Sequence, residues 1–117
     1  MKKLKQKEVN LLDCTLRDGS YVIDFQFTTK DTYNLCKDLE KLGFEWIEVG
    51  HGVGLGASDS GHGKAVQSDE DYMCSANDAL TSSKWGMFCI PGIAKIEDLK
   101  LAISNDMDFV RIGVDPQ

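Results

Sequence analysis

Residues 28–50 read TTKDTYNLCKDLEKLGFEWIEVG, and this stretch decides the fold. A hydroxyl side chain at Thr28 and an acid at Asp31 form the usual beginning of a helix. Apolar side chains then recur at helical spacing, at Leu35, Cys36, Leu39 and Leu42. Gly43 suits the left-handed residue that ends a helix. Residues 45–50 are largely apolar and predict a strand, so a helix leads directly into a strand here.

The same alternation continues on both sides of this stretch. Strands are predicted at residues 9–14, 45–50, 85–90 and 109–113, and helices at residues 28–42, 68–80 and 96–105. A helix between each pair of strands implies right-handed crossovers and a parallel sheet. A (β/α)8 barrel of about 250 residues uses about 31 residues per unit. We therefore expect an α/β fold, the N-terminal half of a TIM barrel with about four βα units. The alternative is a small doubly wound sheet of flavodoxin type.

Composition narrows the classes of function. The chain has 117 residues, of which 27% are charged and 42% hydrophobic, with a net charge of −6. An acidic chain is a poor partner for nucleic acid or an anionic membrane. No apolar run reaches the length of about 20 residues that a membrane-spanning helix needs. We expect residues 1–8 to be a basic extension and residues 9–117 to form a partial catalytic domain.

The termini and the cysteines indicate a cytoplasmic protein. The N-terminal residues lack the apolar core of a secretory signal. The four cysteines form no CxxC pair. Disulfides are unusual in proteins that are not secreted. We expect reduced cysteines that are mostly buried.

Polar side chains follow the predicted strands where each of them ends. Arg17 and Asp18 follow the first strand, Glu48 and His51 lie at the second, and Arg111 lies in the fourth. Ligands of parallel α/β proteins bind at this edge of the sheet. A carboxylate binds a hard divalent cation, and an adjacent guanidinium binds the oxyanion that the cation polarises. The alternative for the pair is an ordinary salt bridge in a loop.

Residues 12–20, LDCTLRDGS, resemble the opening strand and loop of the DRE-TIM metallolyases, and most closely the 4-hydroxy-2-oxovalerate aldolases among them. Further motifs follow at consistent spacing: IEVGHGVGL at 47–55, GHG at 61–63, SDEDY at 68–72, IPGI at 90–93 and VRI at 110–112. The resemblance covers residues 9 to 114.

This resemblance implies roles for particular residues. Asp18 corresponds to the carboxylate ligand of a divalent metal, Mn²⁺ or Mg²⁺. Arg17 corresponds to the residue that binds the substrate and stabilises a pyruvate enolate. Glu48 is expected to orient Arg17 or a metal-bound water. The family completes its metal site with a His-x-His pair on a later strand, which this chain does not reach, so the 117 residues alone are expected to be inactive.

One catalytic position departs from the family. The aldolases carry a catalytic histidine directly after Arg-Asp-Gly-Ser, and this chain has Tyr21. A tyrosine hydroxyl is a far weaker base at neutral pH than an imidazole. Either Tyr21 binds through its hydroxyl, or another residue takes the proton.

The remaining candidates have a functional and a structural interpretation. His51 and His62 lie in a glycine-rich loop, where they either approach the substrate or bond to the backbone. The loop lacks the Gly-Lys-Ser/Thr of a phosphate loop. The acidic residues 69–71 suit the start of a helix better than a metal site. Trp46 and Trp85 are expected to pack between the helices and the sheet.

Three functions remain open. The first is a metal-dependent aldolase or lyase that acts on a small 2-oxo acid through an enolate. The second is a Claisen-type acyltransferase, and the third is a non-catalytic barrel fragment. Open edges on strands one and four would favour pairing with a second copy. The resemblance also implies an acylating aldehyde dehydrogenase as a partner of the complete protein.

Overall fold

A computed structural model describes residues 9–114 of the chain. The strands are β1 (Leu12–Asp13), β2 (Trp46–Glu48), β3 (Lys84–Cys89) and β4 (Phe109–Ile112), and the helices are α1 (Thr15–Gly19), α2 (Thr29–Lys41), α3 (Asp69–Ala79) and α4 (Ile96–Ser104). Short 3₁₀ turns lie at Ser20–Ile23 and Ser58–Ser60. The predicted extension at residues 1–8 lies outside the described residues. Between residues 9 and 114, every helix is too short or too polar to cross a membrane.

The four strands form one parallel sheet in the order β1-β2-β3-β4. In a flavodoxin-type sheet the first strand lies between the second and the third. Here β2 pairs with both β1 and β3, so the strands follow their order in the chain. Sequential parallel pairing is the arrangement of a (β/α)8 barrel. The predicted α/β fold, an N-terminal portion of a TIM barrel, is therefore confirmed.

Side chains at the helix starts define the boundaries of α2 and α3. Thr28 accepts a hydrogen bond from the Asp31 N–H, and the Asp31 carboxylate accepts one from the Thr28 N–H, both at 3.0 Å. Ser68 and Asp71 repeat this capping box at α3. Gly43 follows α2 with a φ of 95°, a conformation that glycine adopts at little cost. Both predicted helix starts are observed, and Asp71 serves the start of α3.

The first strand is shorter than predicted. Residues 9–11 were expected to belong to it, yet β1 consists of Leu12 and Asp13 alone. The side chains of Val9 and Leu11 are 78% and 59% exposed. An apolar run favours a strand only where its side chains are covered, and these two side chains are largely exposed.

The core lies between the sheet and its helices. Ile47 and Val49 of the second strand region and Trp85, Met87 and Cys89 of β3 are buried there. Trp85 also donates from its indole Nε1 to Asn77 Oδ1 at 3.1 Å, which ties β3 to α3. The prediction for Trp85 is confirmed.

The prediction for Trp46 is wrong. Successive side chains of a strand point to opposite faces. Since Ile47 lies on the helix face, Trp46 and Glu48 lie on the other face, which is the inner face of the barrel wall. There the Trp46 ring meets Phe109 edge to face at 5.4 Å, and the Lys84 ammonium lies 4.6 Å from its centroid.

The four cysteines are free and differ in exposure. Cys36 and Cys89 are buried, Cys14 is half-buried, and Cys74 is exposed. Burial raises the pKa of the Cys36 thiol to about 12, and the charges of Asp13 and Glu40 add to this. Cys36 is therefore an unreactive core residue.

A single carboxylate from α2 fixes the entrance to β3. Glu40 accepts hydrogen bonds from the N–H groups of Thr81, Ser82 and Ser83 at 3.0, 2.8 and 2.7 Å. Burial favours the neutral acid, but these hydrogen bonds outweigh it and lower the pKa of Glu40 to about 2. The loop between α3 and β3 is thus held by α2, which precedes both of these elements in the chain.

Candidate active site

A five-residue helix directly after β1 positions Arg17 and Asp18. The Asp13 carboxylate accepts hydrogen bonds from the N–H and the hydroxyl of Thr15, both at 2.9 Å, and the chain turns into α1. Leu16 is buried and anchors the helix. As a result, the Arg17 side chain points inward and is 12% exposed, whereas the Asp18 side chain is 71% exposed.

Glu48 is a fully buried carboxylate between two arginines. Its Oε1 accepts a hydrogen bond from Arg17 Nε at 2.8 Å. Arg111 binds both carboxylate oxygens, through Nε to Oε2 and Nη2 to Oε1, each at 2.8 Å. Burial raises the pKa of Glu48, but the hydrogen bonds and charges of Arg111 and Arg17 outweigh it and hold that pKa below its usual value. Glu48 is therefore an anion at neutral pH.

The Arg17 guanidinium is held on three sides. Beyond Glu48, its Nη1 donates to the Gly52 carbonyl at 2.8 Å, and its Cζ lies 4.7 Å from the centre of the Phe88 ring. A Cβ at position 52 would lie 2.6 Å from the Tyr21 ring, so any larger residue there would displace that ring. Within residues 9–114, Nη2 of Arg17 forms no hydrogen bond. The guanidinium is thus fixed, with one nitrogen left for a ligand.

Tyr21 lies at the mouth of this site on the Ser20–Ile23 turn. Its side chain is 48% exposed, and its ring meets Phe25 edge to face at 5.4 Å. The ring also covers Gly52, whose carbonyl binds Arg17. Tyr21 therefore belongs to the same neighbourhood as Arg17 and remains accessible from solvent.

His51 is buried and bonded to the backbone through both ring nitrogens. Its Nε2 lies 2.8 Å from the Gly63 carbonyl oxygen, and its Nδ1 accepts from the Val53 N–H at 3.0 Å. The ring stacks on Phe25 with centroids 3.8 Å apart. Burial lowers the pKa of His51, which keeps the ring neutral as these bonds require. This geometry leaves neither nitrogen free for a substrate and supports the structural interpretation of His51.

Asp18 is the exposed carboxylate that this site offers to a divalent ion. Asp18 is an exposed oxygen donor at the edge where the strands end, which suits a hard cation. Among residues 9–114 no group of three or more His, Cys, Asp or Glu side chains lies close enough to hold a metal. Asp18 thus fits a metal site as one ligand of several.

The chain belongs to the HMGL-like family, whose model matches residues 8–115. It is 39% identical over 108 residues to an oxaloacetate decarboxylase of Mycobacterium tuberculosis, covering 92% of this chain and 32% of that protein. It is 38% identical over 109 residues to 4-hydroxy-2-oxovalerate aldolase 4 of Rhodococcus opacus, covering 93% of this chain and 31% of the relative. A 4-hydroxy-2-oxovalerate aldolase of Carboxydothermus hydrogenoformans is 37% identical over 107 residues, covering 92% of this chain and 32% of that relative.

These relatives are named as aldolases and as an oxaloacetate decarboxylase. They are carbon–carbon lyases by name, and the chain spans about a third of their length. The expected resemblance to the metallolyases, and to the 4-hydroxy-2-oxovalerate aldolases in particular, is confirmed.

Two side chains of the site had no role in the sequence analysis. Phe88 of β3 lies against Arg17 and also against Arg111, whose Cζ is 5.0 Å from the ring centre. Arg111 was placed at the rim without a function. The signal for both was strand parity, since Phe88 and Arg111 pair in the register of β3 and β4 and share the inner face with Glu48.

Proposed function

We propose that this chain supplies the first four βα units of a divalent-metal-dependent lyase. The complete barrel would break or form a carbon–carbon bond next to a small 2-oxo acid through a pyruvate-type enolate. The observation that carries this proposal is the fixed guanidinium of Arg17. Its Nη2 has no hydrogen bond among residues 9–114, and its Nη1 lies 4.0 Å from Oδ1 of the exposed Asp18 carboxylate. A rigid cation that faces the strand ends is suited to stabilising a developing oxyanion.

The chemistry assigns a separate task to each residue. When a C3–C4 bond breaks next to a 2-oxo group, the electron pair remains on C3 and the negative charge moves to the carbonyl oxygen. Arg17 donates to that oxygen, and Glu48 keeps the guanidinium in place as the charge develops. Asp18 would hold the divalent ion, which supplies Lewis-acid polarisation of the same oxygen when bound. We propose that histidines of a later strand complete the metal site.

The metal part of this proposal is tested on the full-length gene product by calorimetry with Mn²⁺. We expect binding in the unsubstituted protein and a loss of at least about 100-fold in affinity for Asp18→Asn, because the amide removes the ligand charge. Asp78→Asn, an exposed carboxylate of α3, is the matched control and should bind as before. Equal binding by Asp18→Asn would contradict the assignment of Asp18.

Within this class of lyases, Tyr21 favours a decarboxylase over an aldolase. Aldol cleavage of 4-hydroxy-2-oxovalerate needs a base for the C4 hydroxyl proton, whereas decarboxylation of oxaloacetate needs none. There the bond to the carboxylate breaks, CO₂ leaves, and the enolate takes up a proton to give pyruvate. A tyrosine hydroxyl is a weak base but has a proton to donate. The half-exposed side chain of Tyr21 and its position against Gly52, whose carbonyl binds Arg17, support Tyr21 as the donor of that proton.

Tyr21→His discriminates between the two reactions. We expect the unsubstituted full-length protein to convert oxaloacetate faster than 4-hydroxy-2-oxovalerate. The histidine variant should gain aldol cleavage by about 100-fold, because general base catalysis contributes roughly that much or more. Pyruvate release is measured for both substrates, with Tyr33→His on α2 as the control. Efficient aldol cleavage by the unsubstituted protein would show that another residue acts as the base.

The same assays address the remaining alternatives. Condensation of acetyl-CoA with a 2-oxo acid, without lyase turnover, would indicate the Claisen-type acyltransferase. No turnover and no Mn²⁺ binding would indicate a non-catalytic barrel. We further propose a cytoplasmic location, and pairing of the complete protein with a second copy or with an aldehyde dehydrogenase.

A further inference from the structure

Both arginines of the 117-residue sequence bind the same carboxylate. Arg17 reaches Glu48 from α1 and Arg111 reaches it from β4, so segments 94 residues apart in the chain meet at one buried anion. Two guanidinium groups on one carboxylate leave a net charge of +1. One arginine is enough to neutralise the Glu48 carboxylate. The second arginine is therefore not explained by charge balance alone.

The two arginines hold Glu48 differently. Arg17 contributes one hydrogen bond, from Nε to Oε1. Arg111 contributes two in the parallel fork geometry, from Nε to Oε2 and from Nη2 to Oε1. A single bond leaves a carboxylate free to rotate, whereas a fork fixes the plane of both oxygens. The orientation of the Oε1 atom that receives Arg17 is consequently set by Arg111.

The Phe88 ring completes the arrangement. It lies next to Arg111 in the register of β3 and β4, and both guanidinium groups contact it, at 4.7 Å for Arg17 and 5.0 Å for Arg111. The ring places the two cations side by side on one apolar surface. The Arg111 side chain is 41% exposed, whereas that of Arg17 is 12% exposed. Arg111 is thus the outer support and Arg17 the supported group.

We infer that Arg111 is a positioning residue that acts through Glu48 to hold the guanidinium of Arg17 in its fixed orientation. Its importance for turnover rests on the proposed lyase function, but its effect on Arg17 does not. Lysine at position 111 keeps the charge but lacks the planar fork, so it separates orientation from electrostatics.

The first test follows the arginine Nε–Hε groups by NMR in the ¹⁵N-labelled chain of 117 residues. The sequence has two arginines, so the spectrum has two such signals, and Arg111→Lys leaves that of Arg17 alone. We expect slow exchange with solvent for Arg17 in the unsubstituted chain and exchange at least about 10-fold faster in Arg111→Lys, because the hydrogen bond to Glu48 loses its alignment. Lys100→Gln on α4 is the control. An unchanged rate, or no protected Arg17 signal in the unsubstituted chain, would overturn the inference.

The Trp85 indole signal reports whether the fold is retained, since its N–H is bonded to Asn77. Should Arg111→Lys fail to fold, Arg111→Gln replaces it, because glutamine removes the charge and still offers one donor to Glu48. The same exchange rates decide the outcome.

The second test uses the full-length gene product and its turnover of 2-oxo acids. A positioning role predicts that Arg111→Lys lowers kcat by about 10- to 100-fold and changes KM by less than about 3-fold, because misplacement of a catalytic group affects the chemical step. A rise in KM with an unchanged kcat would show that Arg111 binds substrate directly, and no change in either would show a purely structural pair. Both results would overturn the inference. Absence of turnover in the unsubstituted protein would contradict the proposed function, while the exchange rates would still decide the role of Arg111.

Discussion

Arg17→Ala is expected to lower turnover of 2-oxo acids by the full-length protein at least about 1,000-fold while the fold is retained. The loss is large because a preorganised donor to a developing oxyanion acts where water is excluded. The fold should survive because Glu48 keeps both of its bonds to Arg111 when Arg17 is removed. Activity is measured as pyruvate release, and folding by thermal unfolding.

Arg17→Lys provides the conservative comparison. Lysine keeps the charge but has neither the Nε that binds Glu48 nor the Nη1 that binds the Gly52 carbonyl. We expect it to recover little of the lost activity. Turnover that persists in Arg17→Ala would exclude Arg17 from the reaction and would remove the observation on which the proposed function rests.

Glu48→Ala is expected to have the largest effect on stability. The substitution removes a carboxylate that is wholly buried and leaves two guanidinium groups without the anion that lies between them. Breaking a buried ion pair in this way costs about 3–5 kcal/mol of unfolding free energy. Urea denaturation of the chain at neutral pH measures the loss.

Glu45→Gln is the matched control for this prediction. Glu45 is an exposed carboxylate directly before β2, and its neutralisation should change stability by less than about 0.5 kcal/mol. Adding Arg111→Met to Glu48→Ala should recover part of the loss, because one of the two unpaired charges is then absent. A cost below about 1 kcal/mol for Glu48→Ala would mean that water reaches the cluster freely.

The helices and the sheet could be predicted because their signals are local. The capping residues of α2 and α3 and the left-handed Gly43 lie within a few residues of the boundaries they define. The five-residue helix α1 is not evident in the sequence, because a single apolar residue, Leu16, among the polar residues and glycine of 15–19 resembles a loop. Its start depends on Asp13, which bonds to the backbone and hydroxyl of Thr15. An acid two residues before an exposed threonine was the available signal.

The contacts of the site depend on strand register, which the sequence does not show directly. Arg111 of β4 and Glu48 of β2 are 63 residues apart and meet because the register of both strands with β3 puts them on the inner face of the sheet. The error for Trp46 has the same origin, since one residue of parity decides between the two faces of a strand. His51 was left open because its bonding partners, Gly63 and Val53, are backbone groups that no side-chain pattern reveals.

The carboxylate of Glu40 has a consequence for recombining this barrel with its relatives. Units of a (β/α)8 barrel look exchangeable at glycines such as Gly43, yet a crossover there would take Glu40 from one parent and residues 81–83 from another. Three backbone amides at the entrance to β3 depend on that carboxylate. A chimera stays intact when both parents supply an acid at position 40, and otherwise the crossover belongs beyond residue 83. The segment that can be exchanged as a whole in this half barrel is therefore longer than one strand and one helix.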